Sequence, residues 1–349
     1  MLRFAPSPTK EFSIEDLKIA LLNYIVAKVR DEKFLVRIED LEKSRNIEGK
    51  DTEIMLILEK FGIVHDFVYH QSQHLNIYQK LAKKLLEKDI DRDIILDNAN
   101  NPTPIFASAC DDILSQIDFI IREERLYERS QKERYIQKLL DYKEIEYLHT
   151  PPIAKNSNIT IKELFKKGFI PDAIINYIIL ESYKNPPKEI FYLKDVIEWF
   201  EVKNISNEPK EFDIERLKYL NREHIKLMDN RELSRVFGFA DENIGKLAKL
   251  YLTECSTLNE LNSKIMPIFK PKNFDNEWGD KMRVLSDVIF NAPAFEKFDE
   301  FKKYLMEKSG LDKKRLEESL KLLLTNSKDT PKLSKIYPLI KSYILEVAS

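Results

Sequence analysis

The sequence predicts an α/β front half on a parallel, doubly wound sheet, followed by an all-α body. Three observations carry this prediction. Short apolar runs alternate with amphipathic stretches through the front half, the pattern of strands joined by crossover helices. From Ile159 to Ala348 the apolar residues recur at helical spacing almost without interruption. The turn signals of the second half, Pro186-Pro187 and Asn207-Glu208-Pro209, mark helix breaks.

Taken in order, residues 2–5 read as a short buried strand that stops at Pro6. Ser13 is a good N-cap, with Glu15 and Asp16 in the first turn where carboxylates favour the positive helix end. Leu17, Ala20, Leu21, Tyr24, Ile25 and Val29 then follow at helical spacing. "KFLVRIED" predicts a second strand over residues 34–38, and residues 49–61 a helix with Gly62 as its C-cap. "FVYH" is a third strand and "HLNIYQKLAKKLLEKD" an amphipathic helix. "DNANNPTP" is a loop by composition, and "IFASACDDIL" and "IDFIIRE" read as two strands joined by a turn at Asp111-Asp112. Residues 127–142 are helical.

Composition narrows the function classes. The chain has 349 residues, enough for two or three domains. Its 57 basic and 59 acidic side chains leave a formal charge of −2, so bulk charge gives no nucleic-acid signal, although a local basic face is compatible with it. None of the 7 glycines is clustered, which excludes a Walker loop and a dinucleotide fingerprint. Cys110 and Cys255 cannot form a disulfide framework or a four-sulfur zinc site and read as reduced thiols of a cytoplasmic protein. No stretch approaches the ~20 apolar residues of a membrane span, and the N-terminus does not read as a signal peptide. His70, His149 and His224 show no metal-ligand spacing among them, and no metal is expected.

Eight segments in order resemble the glutamyl-tRNA synthetase family of class I aminoacyl-tRNA synthetases. They are "RFAPSPT", "ALLNYIVAK", "FLVRIED", "YHQSQHLNIYQKLAKKLLEK", "FASACDDILSQIDFIIREE", "LHTPPI", "IKELFKKGFIPDAIINYI" and "FDIERLKYLNREHI". The resemblance covers essentially the whole chain and is weakest after Leu227. It implies a Rossmann-like catalytic-type domain over 1–152, a helical stem-contact-like region over 153–228 and an anticodon-binding-like helical domain over 229–349. It also implies a glutamate-like pocket at Arg3, Ser7, Glu39 and Arg122, while His70, His149 and His224 match non-catalytic positions.

The sequence departs from the family where the chemistry lies. The His-Ile-Gly-His type motif that meets ATP corresponds here to Ser13, Ile14, Glu15 and Asp16, and Lys10 replaces the glycine after Pro-Ser-Pro-Thr. A carboxylate there repels a triphosphate, at about 1 kcal/mol for two unit charges 4 Å apart in water and several times that in a cleft. The lysine-rich signature loop is too short, with only Lys155 near its place. Its cations would stabilise charge developing on pyrophosphate. The acceptor-arm insertion is replaced by "DIDRDIILDNANNPTP", expected as a short connection across residues 89–103. Pro104 and Ile105 stand where the family has a tyrosine and an asparagine, and Asp111-Asp112 match its acidic turn.

These departures point to a catalytically inactive paralogue, without cofactor, that acts by binding. The expected partners are tRNA, held weakly and in a salt-sensitive way, or a protein bound by the helical C-terminal half; no membrane is expected. Lys302-Lys303 and Lys313-Lys314-Arg315 are the basic faces available to tRNA. The alternative is an active glutamate–tRNA ligase using ATP and magnesium, or an enzyme acting on another acidic substrate.

Overall fold

The computed structural model describes residues 1–87, 91–155 and 158–349, in two compact units. The front unit comprises Met1–Lys166 and Ile170–Leu217, and the second Lys167–Phe169 and Lys218–Ser349.

In the front unit, β1 (Leu2–Phe4), β2 (Phe34–Ile38) and β3 (Phe67–His70) pair in parallel in the order β1-β2-β3, with Arg3 opposite Leu35 and Val36 opposite Val68. Helices α1 (Ile14–Val29) and α2 (Lys50–Lys60) make the crossovers. Ser13 and Asp16 form a reciprocal capping box: Asp16 N–H donates to Ser13 Oγ, and Ser13 N–H to the Asp16 carboxylate. Gly62, at φ +68°, takes the left-handed position just past α2 that a side chain would strain.

A second parallel pair follows, β4 (Phe119–Glu123) with β5 (Glu146–Thr150). The strands thus form two hydrogen-bonded sheets rather than the one expected. Part of the reason is visible at Ile121, whose N–H and C=O are both bonded by the buried Asn23 amide of α1. A side chain serves there where a neighbouring strand would otherwise be needed. β1 and β4 still lie beside each other, and α1 packs on both.

Between the sheets come α3 (Leu75–Leu86), a short α4 (Arg92–Ile95) and α5 (Pro104–Leu114). Residues 88–90 lie outside the described residues, and with them the first two residues of the expected short connection. Beyond them, Ile95 is buried in a cluster with Tyr78, Leu85, Phe106 and Ile136.

Helix α5 corrects the strand-turn-strand reading of this region. Thr103 caps it, accepting from Phe106 N–H, and Pro104 occupies its first turn, where the missing N–H costs nothing. Asp111 and Asp112 are therefore helical and fully buried rather than at a turn. Apolar runs of this length cannot be assigned by periodicity alone. The Thr-Pro start was the readable signal.

Helix α6 (Tyr127–Leu139) joins β4 to β5, and α7 (Ile161–Lys166), α8 (Pro171–Ser182) and α9 (Leu193–Trp199) follow. After α10 (Ile214–Leu227), the second unit is helical throughout: α11 (Asn230–Val236), α12 (Glu242–Leu250), α13 (Leu258–Ile265), α14 (Gly279–Phe290), α15 (Phe298–Ser309), α16 (Lys313–Thr325), α17 (Leu333–Ile340) and α18 (Ile344–Val347). Its core is built from Ile244, Leu247, Leu285, Leu305, Leu320 and Ile336. No helix among the described residues is long and apolar enough to cross a membrane.

Candidate ligand cleft

A cleft of about 330 Å³ opens at the carboxyl ends of β1, β2 and β4, the usual ligand position in parallel α/β sheets. Arg3, Ser7, Glu39 and Arg122 all line it. The four residues named from the sequence thus share one cleft, while the partners that hold them were not named.

Beneath the cleft runs a chain of buried ion pairs. Arg3 clamps Asp112 with two bonds, Nε at 2.9 Å and Nη2 at 3.2 Å. Arg37, wholly buried, donates to the same carboxylate at 2.6 Å, to Glu39 at 3.0 Å and to Ser108 at 2.9 Å. Arg129 then joins Glu39 at 3.0 Å to Glu133 at 2.8 Å, and Arg122 closes the chain on Glu133 at 2.6 Å and on Ser130 at 3.1 Å. Neighbouring Asp111 is held by Tyr78, Gln71 and His74.

Burial alone would raise the Glu39 carboxyl, but Arg129, Arg37 and Arg3 outweigh it and hold it at about 2. Asp112 and Glu133 are likewise held below the usual carboxylate range: burial opposes this, and Arg3 and Arg37 in one case, Arg122 and Arg129 in the other, prevail. The network stays charged at neutral pH. Arg37, Arg129 and Glu133 escaped the sequence reading, and Asp112 was placed at a turn rather than in the network. Only the i, i+4 spacing of Arg129 and Glu133 on one helix could have announced a pair.

The helix start beside the cleft is closed on itself. Asp16 pairs with Lys10 at 2.9 Å and also accepts from the Ser13 hydroxyl at 2.6 Å. Glu15 turns the other way: one oxygen accepts from Ile153 N–H at 2.7 Å and Ala154 N–H at 2.8 Å, and the other pairs with buried Lys18 at 2.7 Å. Lys18 donates in turn to Pro151 C=O at 2.7 Å. The segment after β5 is also tied down by main-chain bonds, Ile14 N–H to Ile159 C=O and Ile161 N–H to Phe12 C=O, both 2.9 Å. Its described residues lie as a strap across the start of α1. Ile14 itself is buried core.

Lys155 is exposed on this strap, its backbone N–H bonded to Lys210 C=O. Residues 156 and 157 lie outside the described residues. Cys110 and Cys255 are buried free thiols, and among the described residues no group of three or more histidine, cysteine or acidic side chains could hold a metal.

Known proteins place this architecture. The family model for class I tRNA synthetases (E and Q), catalytic domain, matches residues 1–91. The glutamate–tRNA ligase 2 of Sulfurovum sp. strain NBC37-1 is 43% identical, with 100% of each chain covered. This chain belongs to the glutamate–tRNA ligase family. A second member, glutamate–tRNA ligase 2 of Sulfurimonas denitrificans, is 36% identical over 99% of this chain and 100% of its own. The Sulfurovum alignment spans 429 positions for a chain of 349 residues, so that ligase carries stretches with no counterpart here. In fold, the chain is similar to the crystal structure of a glutamate tRNA ligase from Elizabethkingia meningosepticum in complex with its amino acid. The TM-score is 0.79 at 18% identity, over 99% of this chain and 97% of that one. The Elizabethkingia anophelis glutamate–tRNA synthetase gives 0.74 at 19% identity, over 99% and 98%. The Rossmann-like front with a helical remainder is thus the family's fold.

Proposed function

We propose that this ligase-family chain does not activate glutamate and acts instead by binding, with tRNA as its partner. The observation that carries the reading is Glu15. By resemblance, Ser13, Ile14, Glu15 and Asp16 stand where the family meets ATP. Here Glu15 is spent on two strap amides and a buried lysine, and Asp16 on the helix cap and Lys10. Two carboxylates and a closed strap oppose a triphosphate both electrostatically and sterically. The residues do not fit ATP, so no adenylate-forming step is assigned.

The reading of tRNA as partner rests on the family. Its expected weakness rests on the helices: Lys302 pairs with Glu317, Lys303 with Glu307 and Arg315 with Asp312, so much of the basic face is locally compensated. Filter retention of unfractionated tRNA by the purified full chain is the test. Retention is expected near 50 mM salt and loss of at least about tenfold in affinity by about 200 mM. Calorimetric titration with magnesium-ATP is expected to give no binding heat. Tight, saltproof tRNA binding together with an ATP isotherm would support the second reading, an active ligase, which the relatives' names favour.

A further inference from the structure

The apolar pattern of α14 leaves one large side chain over. Met282, Leu285 and Ile289 form its buried stripe at helical spacing, and Phe290, the next residue, falls off that stripe. It is 74% exposed, more than any other large apolar side chain among the described residues. Phe290 lines a hollow of about 360 Å³ within the second unit, formed by the end of α14, the loop to α15 and the residues around α17 and α18. Leu345, 53% exposed, lines the same hollow.

The floor of the hollow is held by contacts that do not involve Phe290. Ile289, Phe301 and Tyr337 are buried, and the Phe301 and Tyr337 rings stack at 4.7 Å. The Tyr337 hydroxyl donates to Phe295 C=O at 2.9 Å, which ties the loop after α14 to α17. An apolar group can therefore enter a preformed site without ordering it first.

The rim decides the occupant. Its charged residues are Lys341 and Glu296, paired with each other, so the lining carries no net charge. A polyanion such as RNA would gain nothing from this pair and would meet Glu296, the more exposed of the two at 84% against 36%. A strongly charged protein finds no opposing field here either. A patch that carries both an exposed apolar knob and an apolar hollow is complementary to itself. A twofold axis uses both at once, each Phe290 entering the other copy's hollow. With the axis beside the rim, two Lys341–Glu296 pairs meet with opposite signs adjacent, which suits a charge-balanced rim.

We infer that this face of the second unit joins two copies of the chain, with Phe290 as the reciprocal anchor. The patch is small, so the association is weak, with a dissociation constant of about 10–100 µM. Sedimentation equilibrium on the full chain, over about 1–200 µM, tests it. A monomer–dimer equilibrium is expected, weakened at least about tenfold by Phe290→Ser and by Leu345→Ser. Both positions are exposed, so the thermal midpoint of the monomer is expected to stay unchanged in each variant. Leu56→Ser removes an exposed leucine of α2 in the front unit and should leave the equilibrium as it is. A monomer throughout the range overturns the inference, as does a dimer that Phe290→Ser leaves intact or that Leu56→Ser weakens equally. A monomer whose retention of tRNA falls in Phe290→Ser would assign the hollow to RNA and overturn it too.

Discussion

Asp112→Ala is expected to destabilise the front unit by about 3–5 kcal/mol, the cost of leaving buried charge without its partner. Arg3 and Arg37 converge on this one carboxylate, and both its side chain and Arg37 are fully buried. Removing it leaves Arg3 without its anion and takes from Arg37 its 2.6 Å bond, with Glu39 and Ser108 remaining to Arg37. Asp112→Asn preserves shape but not charge and is expected to recover only a minor part of the loss. The readout is hydrogen exchange of the β1 and β2 amides under increasing urea, which reports the front unit separately from the second. Unchanged protection in Asp112→Ala would show that the network does not hold these strands.

Acid is expected to produce the other large effect. Glu39 titrates at about 2 in the fold against an ordinary 4.5. Between these values the unfolded chain binds the proton and the folded one does not, so stability increases with pH across that window. Its contribution is complete above about pH 4.5 and is lost as pH falls toward 2. Asp112 and Glu133 are depressed in the same direction and add to the slope. The thermal midpoint should be nearly flat from neutrality to about pH 5 and fall steeply below 4.5. In Glu39→Gln the fall should be shallower, from a lower starting midpoint. Equal slopes in the two proteins would show that Glu39 does not contribute to the acid dependence.

The sequence reading reached the start of α1 in some detail because the relevant interactions there are local. Ser13 and Asp16 are three residues apart, and a capping box is written in that spacing. Arg3, Ser7, Glu39 and Arg122, named from the resemblance, all line the same cleft. What the sequence reading missed is long-range. Arg3 and Asp112 are 109 residues apart, and no periodicity announces that they share a bond. Glu15 reads as a first-turn carboxylate favoured by the helix dipole, and only the structure shows it holding amides 138 and 139 residues away. The same blindness explains the error at Asp111-Asp112. Two adjacent acids look like a turn until Arg3, Arg37, Tyr78 and Gln71 are seen to converge on them.

The decisive measurement is ATP–pyrophosphate exchange by the purified full chain with L-glutamate and magnesium, with and without tRNA. Incorporation is expected to be no greater than in the protein-free control under either condition. No exchange is expected either in the Ser13→His/Glu15→Gly double variant, under the proposal that Lys155 is the one cation near the signature-loop position. Sustained exchange by the unmodified protein that depends on L-glutamate would contradict the proposed loss of activity and make this chain a working ligase.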